Sequence, residues 1–204
     1  PSKTDVNKDA TSANLNSNLS SGAAYLITVT SFQSAEVNIS VSIQQAMKPN
    51  KPNGIDDSRS IFDLTLSGKL SIAWIYSGIS SGFSVQLIDG NFLQRFEVGT
   101  TYIDIPATGL KNGYRYNVSI IAKSERYGSS SSLKTVDSDA FISSIKTVVK
   151  VPQPPLNSSC SNATDESFHL TWIAPQTPNG DILYYIITIN RTDPSGDYYN
   201  FTTE

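Results

Sequence analysis

The pattern Leu-x-x-Gly-x-x-Tyr occurs twice, as LSSGAAY at 19–25 and as LKNGYRY at 110–116, so the two tyrosines, Tyr25 and Tyr116, lie 91 residues apart. Each copy runs straight into an alternation of apolar and polar residues. Ile27 and Val29 follow Tyr25, and Val118 and Ile120 follow Tyr116. A period of two puts such residues on one face of a half-buried strand. Two further pairs accompany this one. Pro49 and Pro52 in KPNKP match Pro152 and Pro155 in VPQPP, and LSIAW (Leu70, Ile72, Trp74) matches FHLTW (Phe168, Leu170, Trp172). Proline cannot serve a central strand, so the proline pairs read as junctions, whereas the tryptophans sit on the apolar faces of strands. The tryptophans lie 98 residues apart and the leading prolines 103. A repeat of about 100 residues made only of strands and turns has the size of a β-sandwich.

At this level of detail the chain resembles a fibronectin type III array. WIAPQTPNGDILYYIITI at 172–189 follows that family's run from the B-strand tryptophan, here Trp172, through a proline-rich turn and Asn-Gly into the C-strand tyrosine, here Tyr185. TTYIDIPATGLKNGYRYNVSI at 100–120 follows its E strand, Gly-Leu turn and F strand, with Leu110 and Tyr116 at the family's fixed positions. Two departures stand out. The family's Pro-Gly is Asn112-Gly113 here, and no proline follows Trp74, after which the connection is shorter. The resemblance implies an all-β chain of tandem immunoglobulin-like sandwiches whose first and third modules are incomplete. Residues 1–48 would supply the closing strands of a first module, around Tyr25–Ser31 and Val37–Ile43. Residues 49–150 would form a complete second module, and 151–204 the A, B, C and C′ strands of a third. It also implies that Tyr25 and Tyr116 are corner tyrosines, each hydroxyl bonded to backbone a few residues upstream.

The bulk properties narrow the function. A net charge of −3 and a pI near 5.1, with no Lys/Arg cluster, leave no basic face for nucleic acid. The apolar run from Leu183 to Ile187 is far too short to span a membrane, so no membrane contact is expected within this segment. Cys160 is the single cysteine and cannot form a disulfide within the chain. It reads as a lone buried thiol or as the partner of a cysteine elsewhere. The single histidine, His169, alternates with apolar residues on a strand, which gives Cys160 no base. Asp56-Asp57 read as solvated turn residues. No Cys/His spacing suits zinc, and neither GISSG nor SGDYYNF precedes the helix that a phosphate loop or nucleophile elbow needs. No catalytic, cofactor or metal site is expected.

Seven Asn-x-Ser/Thr sequons remain, at Asn18, Asn38, Asn117, Asn157, Asn162, Asn190 and Asn200. Strand parity turns three of them outward. If Val37, Ile39 and Val41 face inward, Asn38 faces out; Tyr116 and Val118 do the same for Asn117, and Ile187 and Ile189 for Asn190. These positions suit N-linked glycans, and hence a secreted or cell-surface chain. The middle module is also longer than the first by about twelve residues between its last two strands. The surplus falls in KSERYGSSSSLKTVDSDA at 123–140, where Arg126 and Tyr127 have the chemistry of partner contacts. A flexible, tolerated insertion is the competing reading of that stretch. No Arg-Gly-Asp and no Trp-Ser-x-Trp-Ser occurs.

The expectation is therefore a non-catalytic spacer and protein-recognition segment of a multi-module receptor or adhesion ectodomain, with a protein ligand and no cofactor. Accessory spacer modules of a secreted multidomain enzyme, such as a polysaccharide hydrolase, are the alternative. The sequons disfavour an intracellular, muscle-type array.

Overall fold

A computed structural model describes residues 5–15, 18–33, 38–90, 92–126, 134–164, 166–190 and 198–203. Among them the protein is built from antiparallel β-sheets, with one short helix. The strands are β1 (Ala24–Phe32), β2 (Asn38–Ala46), β3 (Gly54–Ile55), β4 (Lys69–Ile75), β5 (Gly82–Asp89), β6 (Phe92–Val98), β7 (Tyr102–Pro106), β8 (Arg115–Arg126), β9 (Lys134–Asp137), β10 (Phe141–Lys146), β11 (Leu156–Ser161), β12 (His169–Ile173), β13 (Tyr185–Asn190) and β14 (Tyr198–Thr203). The helix α1 (Leu64–Ser67) lies between β3 and β4.

Five sheets result. β1 pairs with β2, β11 with β12, and β13 with β14; β3-β4-β7 form a three-stranded sheet, and β10-β8-β5-β6, with β9 added to β8, a five-stranded one. The burial of β4 follows from its central place between β3 and β7. Leu70, Ile72 and Trp74 are buried on one face, and the small residues Ser71 and Ala73 are buried on the other. A continuous buried run of this kind suits a strand covered on both sides. β7 is an outer strand of its sheet and alternates, with Ile103 and Ile105 buried between exposed neighbours.

By contact the chain divides into two compact units. The first comprises Pro1–Ile55, Trp74–Tyr102 and Val118–Ser143. Its core holds Ala46, Trp74, Phe83, Val85, Leu87, Val118, Ile120 and Ala122, and Trp74 meets Phe83 edge-on at 5.2 Å between ring centroids. The second comprises Asp56–Ala73, Ile103–Asn117 and Ser144–Glu204. Its core holds Leu64, Leu70, Ile72, Ile103, Ile105, Tyr116 and Ile145. There, Trp172 of β12 stands edge-on to Tyr185 of β13 at 5.3 Å, both half-buried.

Two expectations change. The second strand expected at Val37–Ile43 runs from Asn38 to Ala46, and Val37 lies outside the described residues. The register pairs Val29 with Val41 and Ile27 with Ile43, so these share one face of β1–β2 with Ile39. That face is open: Ile39 is 76% exposed and Val41 69%. The opposite face carries the hydroxyl pairs Thr28–Ser42 and Thr30–Ser40, each at 2.7 Å. The second change concerns 123–140, read as a loop. Its base is a hairpin, with Lys123 to Arg126 of β8 paired residue for residue with Asp137 to Lys134 of β9. Ser138 locks the end of that ladder, its N–H donating to Ala122 O and its Oγ accepting from Ala122 N, both at 2.9 Å.

Candidate functional site

Both Leu-x-x-Gly-x-x-Tyr turns close by the same bond. The backbone N–H of Ser20 donates to Tyr25 Oη at 2.6 Å, and that of Lys111 to Tyr116 Oη at 2.7 Å. The tyrosine reaches five residues back in each case. Tyr116 is 2% exposed, so its ring fills core while its hydroxyl takes a donor at the turn. Leu110 is half-buried and donates its N–H to Ala107 O at 2.9 Å. Tyr114, whose counterpart in the repeat is Ala23, tilts against Tyr116 at 5.3 Å with Lys111 Nζ 5.3 Å from its ring centre.

The glycines of the two turns are both left-handed, φ +77° at Gly22 and +66° at Gly113, and both are buried. Gly22 donates its N–H to Lys48 O at 3.2 Å, and Gly113 to Val148 O at 3.0 Å. Thr147 anchors the second turn further: its Oγ1 accepts from Tyr114 N at 2.9 Å and donates to Lys111 O at 2.7 Å. Nothing local in the sequence singles out Thr147: its N–H donates to Tyr114 O at 2.9 Å, and Met47, in the matching place, likewise donates its N–H to Ala23 O at 2.8 Å.

Each of the six sequon asparagines with a described side chain is exposed: Asn18, Asn38, Asn117, Asn157, Asn162 and Asn190. Asn117 stands out between the buried Tyr116 and Val118 of β8. Asn200 lies in β14, paired in register with Thr188. Asn18, Asn157 and Asn162 are left-handed, with φ of 59°, 50° and 52°, and Asn157 takes this form where the β11–β12 register shifts. Asparagine tolerates that conformation better than other side-chain-bearing residues.

The remaining residues singled out in the sequence are dispersed. Arg126 ends β8, paired with Lys134, and Tyr127 lies outside the described residues, as does the rest of 127–133. Cys160 is exposed, which corrects the expectation of a buried thiol. Its register partner is Leu170, and among the described residues nothing covers it. His169 is exposed opposite Ser161. Asp56 is tied into its turn by Ser58 Oγ at 2.6 Å, and Asp57 is exposed.

Two carboxylates are fixed by neighbours. Hydrogen bonds from Lys150 Nζ at 2.6 Å and from Thr65 hold Asp63, the N-cap of α1, at about 2, well below the usual carboxylate value. The Lys48 ammonium, 2.8 Å from Asp139, lowers that carboxyl as well. All four residues of these two pairs lie in connections outside the strands. Among the described residues no helix is long and apolar enough to cross a membrane. Compared with protein-family models and with curated proteins, the chain shows no match.

Proposed function

We propose that this chain is a run of fibronectin type III-like sandwiches, spanning 1–48, 49–150 and 151–204. Its work is spacing and protein recognition in a glycosylated cell-surface receptor or adhesion ectodomain, without catalysis of its own. The observation that carries this reading is the repeated corner bond, with Tyr25 and Tyr116 each taking an N–H five residues upstream. A bond of that kind closes a sandwich at its end. The extracellular setting is supported by the exposure of Asn38, Asn117 and Asn190, which leaves their side chains open to a glycan.

The test is mass spectrometry of the protein from its native tissue after enzymatic deglycosylation, which marks each formerly glycosylated asparagine by conversion to aspartate. Marks at Asn117 and at one or more of the other exposed sequons are expected. If all seven asparagines come back unmodified, the extracellular reading fails.

A further inference from the structure

Each Leu-x-x-Gly-x-x-Tyr turn meets a second turn further along the chain, and both meetings occur at the glycine. A Cβ on Gly22 would run into the carbonyl of Ile79, in the turn after β4. A Cβ on Gly113 would lie 2.6 Å from Asn179 O and 2.5 Å from Gly180 Cα, in the turn after β12. Gly22 and Gly113 match in the repeat, and both receiving turns follow the tryptophan strands, which also match. Position and partner position recur together. We propose that this glycine is the seat of a module joint. It is a patch of bare backbone on which the turn after the next module's tryptophan strand docks, so that the linker between is held in place.

The surroundings of both seats agree with that role. At the first, Gly22 O accepts a buried hydrogen bond from Ser124 Oγ at 2.6 Å, and Ile79 O is itself held by Tyr76 Oη at 2.9 Å. Linker residue Asn50 reaches the same turn, Nδ2 to Ser77 O at 3.1 Å. At the second, linker backbone is tied directly to the docked turn. Lys150 donates to Asn179 O at 3.0 Å and Gln153 to Thr177 O at 3.2 Å, while Asn179 Nδ2 donates back to Val151 O at 2.8 Å. Val149 closes the far side of Gly180, where an added Cβ would lie 2.8 Å from Val149 Cγ1. Left-handed geometry does not by itself bring such contacts. Gly109 is left-handed at φ +83°, yet a Cβ there would meet nothing within 4 Å.

This inference rests on the array reading, and the experiment separates the two. Gly113→Ala, Gly180→Ala and Gly109→Ala are compared in the intact chain by amide hydrogen exchange at Lys150 and Gln153. Gly113→Ala and Gly109→Ala both force alanine into a left-handed backbone, but only the first puts a methyl group into the docked turn. Exchange at both amides is expected to quicken at least about tenfold in Gly113→Ala and Gly180→Ala, with Gly109→Ala like wild type and Val118 and Ile120 protected throughout. Equal effects of Gly113→Ala and Gly109→Ala would overturn the joint, as would loss of protection at Val118 and Ile120 alongside the linker. The array reading fails on a different result: amides of β4 and β12 opening together, with one free energy, in the unaltered chain.

Discussion

At the scale of single residues, Tyr116 shows how one side chain joins core to turn. Removing its hydroxyl leaves the ring in place and the Lys111 N–H without its partner. Tyr116→Phe is therefore expected to cost about 1 kcal/mol, the net worth of one hydrogen bond, measured as a lower urea midpoint at unchanged slope. Asp63 gives a prediction in pH. Its carboxyl is held at about 2, below its ordinary value of 3.8, by Lys150 and Thr65. The folded form thus binds the proton less readily than the unfolded one, and the stabilisation is present in full above pH 4. It drains away as pH falls towards 2. Thermal midpoints of Asp63→Asn should lie below wild type near neutrality and converge with it in that acid window; a constant gap would contradict the assignment. Tyr25 and Tyr116 were legible in the sequence because each closes on a donor only five residues away, so the whole device fits inside a short motif. Asn112 meets Asn179 across 67 residues, and no local pattern announces a partner that distant. The exposure of Cys160 is equally hard to read from sequence, since a cysteine's burial depends on which segments pack over it.

At the scale of elements, the hairpin β8–β9 replaces what the sequence presented as an insertion. The serine run in 123–140 conceals that Thr135 and Val136 are β-branched residues suited to a ladder. Their pairing keeps Ser124 and Ser138 buried. A recognition test that removes all of 124–139 would therefore strip structure together with any contact. Replacing only 127–133 by Asn-Gly spares every described pair of the ladder. The thermal midpoint is expected to stay within about a degree of wild type, because the paired residues of β8 and β9 and the buried Ser124 and Ser138 are left unchanged. A larger fall in differential scanning calorimetry would show that the excised residues help hold β8 to β9. With stability preserved, loss of binding to a partner would assign recognition to residues 127–133.

At the scale of the whole molecule, the all-β character was legible from strand periodicity, from the proline junctions and from the spacing of the two tryptophans. The sequence was less informative about the strands near either end of the chain, where alternation alone does not say which face is covered. Ile27, Val29, Ile39 and Val41 share one face of β1–β2, yet Ile39 and Val41 stand open. The left-handed asparagines carry a consequence for how such a chain can change over generations. Replacing Asn18 with most residues removes the sequon and strains the backbone at once, whereas replacing Ser20 removes the sequon alone, because Ser20 meets Tyr25 through its backbone. Drift can silence that site through one codon and not through the other. At Asn162 both routes are obstructed, since Thr164 Oγ1 accepts from Glu166 N and Ser167 N and pins the turn. Two sequons alike on paper thus differ in how freely their residues can drift.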